Sequence, residues 1–493
     1  SIMKKLLLAV FSIATTFSVY AQREVPQERM EQIYEEVKTP YKYGLAVAPA
    51  DNYHKIDCPT VFRQGDKWLM TYVVYNGKGG TDGRGYETWI AESDNLLEWR
   101  TLGRVLSYRD GKWDCNQRGG FPALPDMEWG GSYELQTYKG RHWMTYIGGE
   151  GTGYEAVKAP LYVGLAWTKG DISTAHEWES MDKPILSIHD KDAQWWEKLT
   201  QYKSTVYWDK DKTLGAPFVM YYNAGGRHPE TDLKGERVGI ALSKDMKTWK
   251  RYSGNPVFAH EADGTITGDA HIQKMGDVYV MFYFSAFEPS RKYKAFNTFA
   301  ASYDLVNWTD WKGADLIIPS KNYDELFAHK SYVVKHDGVV YHFYCAVNNA
   351  EQRGIAIATS KSMGRSAVRF PVPESKNRRQ IMTLNEGWKT WITEATHLKG
   401  NFMMPAKTVN IPHNWDDYYG YRQLTHGNLH GTAMYVKDFT ADVKSGKRYF
   451  LRFEGVGTYA TITVNGKNFG RHPIGRTTLT LDVTDELKQG VNR

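Results

Sequence analysis

The stretch GIALSKDMKTW at residues 239–249 is one copy of a phrase that recurs along most of this chain. The other copies read WIAES at 89–93, GLAWT at 164–168, TFAAS at 298–302 and GIAIA at 354–358. A tryptophan follows all but the last copy, at Trp99, Trp178, Trp249 and Trp308. A repeat with a period of tens of residues indicates one structural unit used several times.

A short aromatic and β-branched segment precedes each copy, and Gly or Asp residues bound it. These segments lie at residues 65–72, 139–146, 218–222, 276–283 and 337–344. Their composition predicts strands joined by hairpins. A unit of several strands and tight turns is typical of a β-propeller blade, so we predict a five-bladed β-propeller. The repeats lack the helical periodicity of a solenoid, and only residues 27–38 predict a short helix.

The composition favours an all-β fold and excludes some functions. Trp, Tyr and Phe make up 14% of the 493 residues, and the 45 glycines favour tight turns. The formal net charge of +6 is too small and too dispersed for a nucleic-acid partner. The three cysteines, Cys58, Cys115 and Cys345, are far apart and odd in number, which favours buried free thiols over a disulfide framework. Because phosphate-binding and HExxH motifs are missing, we predict no cofactor and no metal, although a structural cation in the channel is left open.

The N-terminus has the features of an export signal. Lys4 and Lys5 precede an apolar run over residues 6–19, and a small residue, Ala21, marks the expected cleavage site. We therefore predict a signal peptide over residues 1–21. The mature protein is expected to be periplasmic or secreted, with no membrane span.

The repeat ends before the C-terminal part of the chain. We place the propeller at residues 22–368 and a proline-rich connector at 369–377. Residues 378–493 show a second β pattern, with a hairpin signal at Asn465-Gly466, and predict a β-sandwich of jelly-roll type. The chain stops at residues 490–493, where another strand is due, so we expect a piece of a longer protein.

Candidate site residues come from the strands that line the channel. In a propeller, the innermost strand of each blade runs along the central channel. The segments ahead of the hairpins therefore bring titratable groups from four blades to the axis. These groups are Asp57, Tyr202 with Lys203, Asp269 with His271, and His329 with Lys330. The alternative for each residue is structural: Asp57 as a turn cap, and the histidines as core residues.

Two glutamates in adjacent blades suggest a pair of catalytic carboxylates. Glu155 ends a glycine-rich loop at residues 148–155, and Glu236 follows a second glycine-rich stretch that includes Arg227. Two carboxylates that flank a pocket are what glycosidic bond cleavage requires, one as acid and the other as base or nucleophile. Arg227, the lysines and the histidines would then hold the sugar. The alternative is that each glutamate forms a salt bridge to the neighbouring blade.

Residues 40–365 resemble the five-bladed propeller glycosidases. Within that group, the arrangement of Glu155 in a glycine-rich loop and Glu236 before the RVGIA stretch at 237–241 resembles glycoside hydrolase family 137. The resemblance implies a β-L-arabinofuranosidase that acts on side chains of the pectin rhamnogalacturonan-II, with Glu155 and Glu236 as catalytic carboxylates. It also implies that the partner is a plant cell-wall oligosaccharide.

The last 115 residues resemble the N-terminal sugar-binding sandwich of glycoside hydrolase family 2. The motifs that carry this resemblance are LNEGW at 384–388, VNIPHNWD at 409–416, FEGV at 453–456, VNGK at 464–467 and LDVT at 481–484. Family 2 enzymes carry their active site on a later barrel, so no catalytic residue transfers to this segment. The resemblance implies that the full-length chain has a further C-terminal glycosidase domain.

Two alternatives to this function follow from the same residues. A propeller hydrolase of α-L-arabinofuranosidase or β-xylosidase type would use Asp57 as base and Glu236 as acid. A glycan-binding module would hold a sugar through aromatic residues and His271 or His329 without cleaving it.

Overall fold

The computed structural model describes residues 24–77, 83–156, 159–372, 379–395, 405–415 and 431–493. The segment assigned to the export signal and residues 373–377 of the expected connector lie outside these ranges. The chain divides into two compact units, Ser1–Glu374 and Ser375–Arg493.

The first unit begins with helix α1 (Gln27–Val37) and strand β1 (Tyr41–Val47) and continues as five four-stranded antiparallel blades. Blade 1 contains β2 (His54–Gln64), β3 (Lys67–Asn76), β4 (Tyr86–Ser93) and β5 (Arg100–Leu106). Blade 2 contains β6 (Gln117–Pro122), β7 (His142–Gly149), β8 (Tyr162–Thr168) and β9 (Glu179–Ser180). Blade 3 contains β10 (Thr200–Trp208), β11 (Phe218–Arg227), β12 (Lys234–Ser243) and β13 (Trp249–Arg251). Blade 4 contains β14 (Thr265–Met275), β15 (Val278–Ala286), β16 (Ala295–Ser302) and β17 (Thr309–Asp310).

Blade 5 closes the ring. It contains β18 (Phe327–His336), β19 (Val339–Val347) and β20 (Arg353–Thr359), and β1 supplies its outer strand by antiparallel pairing with β20. The recurring phrase forms the third strand of each blade, and the aromatic segment before it forms the second strand. The predicted five-bladed propeller is therefore confirmed, as is the short helix at its start.

The tryptophan that closes the phrase has a structural role. In blade 3, the backbone N–H groups of Asp245 and Met246 donate to the Ser243 hydroxyl, and the Trp249 indole donates to the Met246 carbonyl at 2.7 Å. The same indole bond recurs from Trp99 to Leu96 and from Trp308 to Leu305. The repeat therefore encodes a tight turn at the outer edge of a blade.

The end of the channel away from the glutamates is crossed by protein. Backbone N–H groups of Arg63 on β2 and Lys274 on β14 donate to the carbonyls of Tyr133 and Met127, which belong to the long connection between β6 and β7. Tyr133 also donates to Gln273 at 2.9 Å. This crossing segment ties the far ends of innermost strands from different blades together.

Helix α1 packs on blades 4 and 5. Met30, Ile33 and Val37 occupy one face of the helix and are buried in a cluster with apolar side chains of β15, β16, β19 and β20. Within the described part of the chain, no helix has the length and apolar character to cross a membrane.

The second unit is also all-β. Its strands are β21 (Trp388–Ala395), β22 (Lys407–Val409), β23 (Gly431–Val436), β24 (Phe439–Ala441), β25 (Phe450–Phe453), β26 (Ala460–Val464), β27 (Lys467–His472), β28 (Leu479–Asp482) and β29 (Gly490–Asn492). They pair in small antiparallel sheets, and β29 pairs with β24. The predicted hairpin joins β26 to β27, with φ of 49° at Asn465 and 88° at Gly466, as a two-residue turn requires. The predicted fold class, a propeller followed by a β-sandwich, is confirmed.

All three cysteines are free thiols. Cys58 and Cys345 are buried as predicted, whereas Cys115 is only partly buried. The prediction of three buried thiols is therefore wrong for Cys115, which lies in the connection ahead of β6 rather than inside a blade.

Candidate active site

A β-bulge in the innermost strand of four blades aims the site residues into the channel. The pairing register shifts between Asp57 and Thr60 on β2, Gln201 and Ser204 on β10, Gly268 and His271 on β14, and His329 and Tyr332 on β18. In blade 2, β6 pairs with β7 in unbroken register. Left-handed backbone marks three of the bulges, with φ of 49° at Cys58, 56° at Asp269 and 59° at Lys330. Bulges of this kind redirect side chains and occur next to active sites.

The bulges surround a cavity of about 160 Å³. It is lined by Cys58, Tyr86, Ile147, Tyr154, Glu155, Tyr202, Lys203, Asn223, Glu236, Ile266, Asp269, Phe284, Ala286, Phe287, Phe327, His329, Lys330 and Arg353. Seven of the ten predicted site residues are among these, including both glutamates. Asp57 lies directly behind the lining and is fully buried.

Glu155 reaches the cavity from blade 2 by a loop. It lies in a short 3-10 turn (Tyr154–Ala156) after β7 and has left-handed backbone, with φ of 56° and ψ of 31°. The buried Lys330 ammonium, from blade 5, lies 3.3 Å from Glu155 Oε1 and 2.7 Å from Asp57 Oδ2. This lysine therefore connects the loop carboxylate to the carboxylate behind the cavity.

Asp57 is held as an anion by several donors. The Tyr154 hydroxyl and the Lys330 ammonium donate to its Oδ2, and the Cys58 N–H donates to Oδ1 at 2.9 Å. Arg353 lies 3.6 Å from the same carboxylate. Burial alone would raise the pKa of Asp57, but the charges of Lys330 and Arg353 outweigh burial and hold the pKa well below its usual range. The same pairing raises the pKa of Lys330 against the opposing effect of burial.

The environment of Glu236 raises the pKa of its carboxyl group, whereas that of Asp57 lowers it. Glu236 is the third residue of β12, the third strand of blade 3, where it pairs with Gly225 on one side and with Ile266 of blade 4 on the other. Burial, followed by the negative charge of Glu155, raises its pKa from 4.5 to about 8. The Asn223 amide donates to Glu236 Oε2 at 3.3 Å, and Tyr202 also hydrogen-bonds to this carboxyl. Glu236 is therefore protonated at neutral pH.

A glycine makes room for the amide that supports Glu236. A Cβ atom on Gly268 would lie 2.6 Å from Asn223 Nδ2, which is closer than real Cβ contacts. Asn223 Oδ1 also accepts the N–H of Asp269 at 3.2 Å. The bulge on β14 and the glutamate on β12 are thus joined through one side chain.

Lys203 and Asp269 form a second charged pair in the cavity. Lys203 Nζ lies 3.6 Å from Asp269 Oδ2, and both side chains are almost completely buried. That distance is too long for a hydrogen bond, and the ammonium has no hydrogen-bond partner among the described residues. Burial raises the pKa of Asp269, an effect that Lys203 opposes without cancelling. A buried ammonium with unused donors is prepared to bind a polar ligand.

The remaining predicted residues occupy different positions. His329 lines the cavity, and burial lowers its pKa to about 3, so the ring is neutral. His271 is stacked on Tyr332 with ring centroids 3.8 Å apart and lies outside the lining. His271 lies past the bulge on the same innermost strand as Asp269, so it stands farther along the channel, and its role in substrate binding stays a prediction. Arg227 also lies outside the lining, at the exposed end of β11, where it donates to the Asp232 carbonyl at 3.0 Å.

Comparison with solved structures identifies the class of protein. A structure named "Glycoside hydrolase" is 95% identical to the chain, covers 71% of it and 100% of the solved chain, and has a TM-score of 0.71. A second, named as a complex of BT0996 with RGII, is 96% identical with the same coverages and TM-score. The chain belongs to the glycoside hydrolases.

Curated relatives of this glycoside hydrolase match over shorter segments. A β-glucuronidase of Bacteroides fragilis is 29% identical over 117 residues, which is 23% of the chain and 15% of the relative. The chain covers between 9% and 15% of the lengths of the curated relatives that it matches. No protein-family model matches the chain.

Three important residues of the glycoside hydrolase site were not predicted from the sequence. Tyr154 directly precedes Glu155, Asn223 directly follows the aromatic segment of blade 3, and Arg353 directly precedes the last copy of the recurring phrase. Each stands next to a predicted site residue or a recurring motif. Tyr154 and Arg353 contact Asp57 from other blades, and Asn223 contacts Glu236 across neighbouring strands of blade 3. These contacts join residues that are apart in the sequence, so local motifs could not show them.

Proposed function

We propose that the propeller is an exo-acting glycosidase that releases a terminal β-L-arabinofuranose from a rhamnogalacturonan-II side chain of pectin. The observation that carries this proposal is the contrast between two carboxyl groups on one small cavity. Glu236 has a pKa raised to about 8, whereas Glu155 is beside the Lys330 ammonium. Glycosidic cleavage needs one protonated and one ionised carboxyl group.

In this proposal Glu236 is the general acid. It donates its proton to the glycosidic oxygen as the bond to the anomeric carbon breaks. Glu155 stabilises the positive charge that develops on the sugar and either attacks the anomeric carbon or takes a proton from the attacking water. Lys330 holds Glu155 in place by an ion pair, and Asp57 holds Lys330.

The assignment of Asp57 as catalytic base has less support. A general base works best when its pKa is near the working pH. The pKa of Asp57 is far below that range because Lys330 and Arg353 stabilise the anion. Its Oδ2 already accepts from Tyr154 and Lys330. Asp57 is therefore better suited to a positioning role.

The cavity suits a single terminal sugar. Pockets for drug-sized ligands are typically about 300–1,000 Å³, and this one is about 160 Å³. The buried Lys203 ammonium and Asp269 carboxyl supply a donor and an acceptor for sugar hydroxyls. A small pocket lined by polar groups favours removal of one unit from a chain end over cleavage inside a polymer.

The pectic substrate is supported by similarity. The solved relative at 96% identity is named as a complex with RGII. The motifs around Glu155 and Glu236 resemble family 137, which implies β-L-arabinofuranosidase activity. We further propose that the second unit is a family 2 type sugar-binding sandwich, that a C-terminal glycosidase domain completes the full-length chain, and that the protein is exported to the periplasm or secreted.

Two substitutions test the catalytic pair. Glu155→Gln and Glu236→Gln keep the side-chain shape but remove the charge or the transferable proton. Each is expected to lower kcat on a rhamnogalacturonan-II oligosaccharide by about 10² or more. The matched control is Glu150→Gln, an exposed residue of the same loop that does not line the cavity, and it should retain wild-type turnover. Product analysis by chromatography identifies the released sugar.

Full activity in either glutamine variant would reject the assignment. If calorimetry shows that the protein binds the sugar but no monosaccharide is released, the result would instead favour a glycan-binding module without catalysis. Loss of activity in Asp57→Asn together with retention in Glu155→Gln would favour the α-L-arabinofuranosidase or β-xylosidase alternative.

A further inference from the structure

An exposed aromatic residue stands at the mouth of the cavity. Phe287 follows β15 directly and is 50% exposed. It is the one exposed large apolar side chain, within the described residues, that also lines the cavity. Its φ of 57° is unusual for a bulky residue. A single exposed apolar residue is ordinary on a protein surface, but this one is part of the wall of the cavity.

The loop that carries Phe287 is firmly anchored. The Phe287 N–H donates to the Lys294 carbonyl at 2.7 Å and closes the loop. Glu288 Oε2 lies 3.2 Å from His260 Nδ1, and Arg291 pairs with Asp315 at 2.7 Å. These contacts to neighbouring segments hold the aromatic ring in a defined place. A rigid platform loses little entropy when a ligand packs on it.

A second ring makes this surface continuous with the cavity. Phe327 begins β18 and contacts Phe287 edge to face, with ring centroids 6.0 Å apart. Its other neighbour is His329, on which it stacks at 5.4 Å. Arg353 lies over the Phe327 ring at 5.8 Å and lines the same cavity. The aromatic pair therefore leads from the polar pocket to the surface.

From this geometry we infer that Phe287 and Phe327 form a second subsite that binds the sugar next to the terminal residue. The inference rests on the proposed hydrolysis of an oligosaccharide. The cavity holds about one sugar unit, so the next unit of the substrate must lie at its mouth. The C–H groups on one face of a sugar ring form an apolar surface, and aromatic rings offer a large flat area to pack against it.

Kinetics on two substrates test the subsite. Phe287→Ala is expected to raise KM for a rhamnogalacturonan-II oligosaccharide about three- to tenfold with little change in kcat. On methyl β-L-arabinofuranoside, which lacks the second sugar, the change in KM should be less than about twofold. Phe287→Tyr should restore the wild-type KM. The control is Tyr41→Ala, because Tyr41 is also 50% exposed but lies away from the cavity.

Binding measurements separate this inference from the proposed activity. In a Glu236→Gln background, calorimetry with the same oligosaccharide should show a similar three- to tenfold weakening on adding Phe287→Ala. If that weakening is seen although the wild-type protein releases no sugar, the subsite stands and the proposed hydrolysis fails. Equal effects on both substrates, or no effect on oligosaccharide binding, overturn the subsite. A dimer that Phe287→Ala dissociates in sedimentation velocity would assign the ring to self-association and also overturn it.

Discussion

Glu155 and Glu236 are the same amino acid in the same cavity, yet their surroundings differ. Lys330 supplies a positive charge 3.3 Å from Glu155. Glu236 hydrogen-bonds to an amide and a phenol and also experiences the charge of Glu155. Burial and the negative charge of Glu155 both raise the pKa of Glu236 and so favour its protonated form.

This difference predicts a pH dependence of activity. Glu236 must be protonated to act as acid, so kcat/KM should fall as the pH rises through about 8. In Glu155→Gln, the loss of the like charge should lower the pKa of Glu236 and move this alkaline limb of the residual activity to lower pH. The measurement is a pH profile of kcat/KM for wild type, Glu155→Gln and the control Glu150→Gln. If the alkaline limb of the kcat/KM profile stays at the same pH in Glu155→Gln, the result would contradict the electrostatic coupling between Glu155 and Glu236.

At the scale of elements, the innermost strands carry the site because their regular pairing is interrupted. A β-strand alternates its side chains between two faces. The left-handed residues Cys58, Asp269 and Lys330 break that alternation at equivalent places in three blades. Strain of this kind persists only where the surrounding structure enforces it, and it concentrates at functional sites. Blade 2 has no bulge of this type between β6 and β7, and it contributes through the loop of Glu155 instead.

Helix α1 supports the blades that carry Lys330 and Asp269. Ile33 is completely buried between the helix and blades 4 and 5. Ile33→Ala should lower the free energy of unfolding of the propeller by about 2–5 kcal/mol because it leaves a cavity. The exposed neighbour Gln32 provides the control, since Gln32→Ala removes no buried contact. Differential scanning calorimetry of both variants checks this, and equal transition temperatures would show that the helix adds little stability.

At the scale of the whole propeller, the site exists only when the ring is closed. The cavity takes side chains from all five blades. Blade 5 needs β1 from the start of the unit to pair with β20 near its end. Closure also removes the open sheet edge of β20, which would otherwise invite association. Catalytic geometry and folding of the unit are therefore linked.

That linkage predicts a pH-dependent stability. The pKa of Glu236 is about 8 in the folded protein and near 4.5 when unfolded. A raised pKa means that its stabilising contribution is complete below pH 4.5 and is lost as the pH rises to about 8. Glu236→Gln does not titrate, so its Tm should exceed that of wild type by more at pH 8 than at pH 5. The Tm is expected to change by about 2–4 °C for each 1 kcal/mol of change in the free energy of unfolding. Thermal unfolding at both pH values tests this, and a pH-independent difference would contradict it.

Some features of the structure could be predicted from the sequence, and particular residues show which. The Asn465-Gly466 turn and the Ser243 to Trp249 turn were predictable because they depend on contacts between near neighbours. The positions of Lys203 and Lys330 near the axis followed from the order of strands within each repeat. The sequence could not distinguish the position of His271 from that of Asp269, because residues two positions apart on a regular strand lie on the same face. The bulge that separates them does not follow from strand alternation.

The repeated sequence is therefore sufficient to predict the propeller, its turns and the set of strands that face the channel. These features depend on local spacing and composition. The difference between Glu155 and Glu236, the bridge from Asp57 through Lys330, and the aromatic surface of Phe287 and Phe327 arise only after folding. They depend on distances between blades and on burial, which are set by packing of residues far apart in the chain. Desolvation and charge act through space, so the different surroundings of the two glutamates are set by their neighbours in the fold.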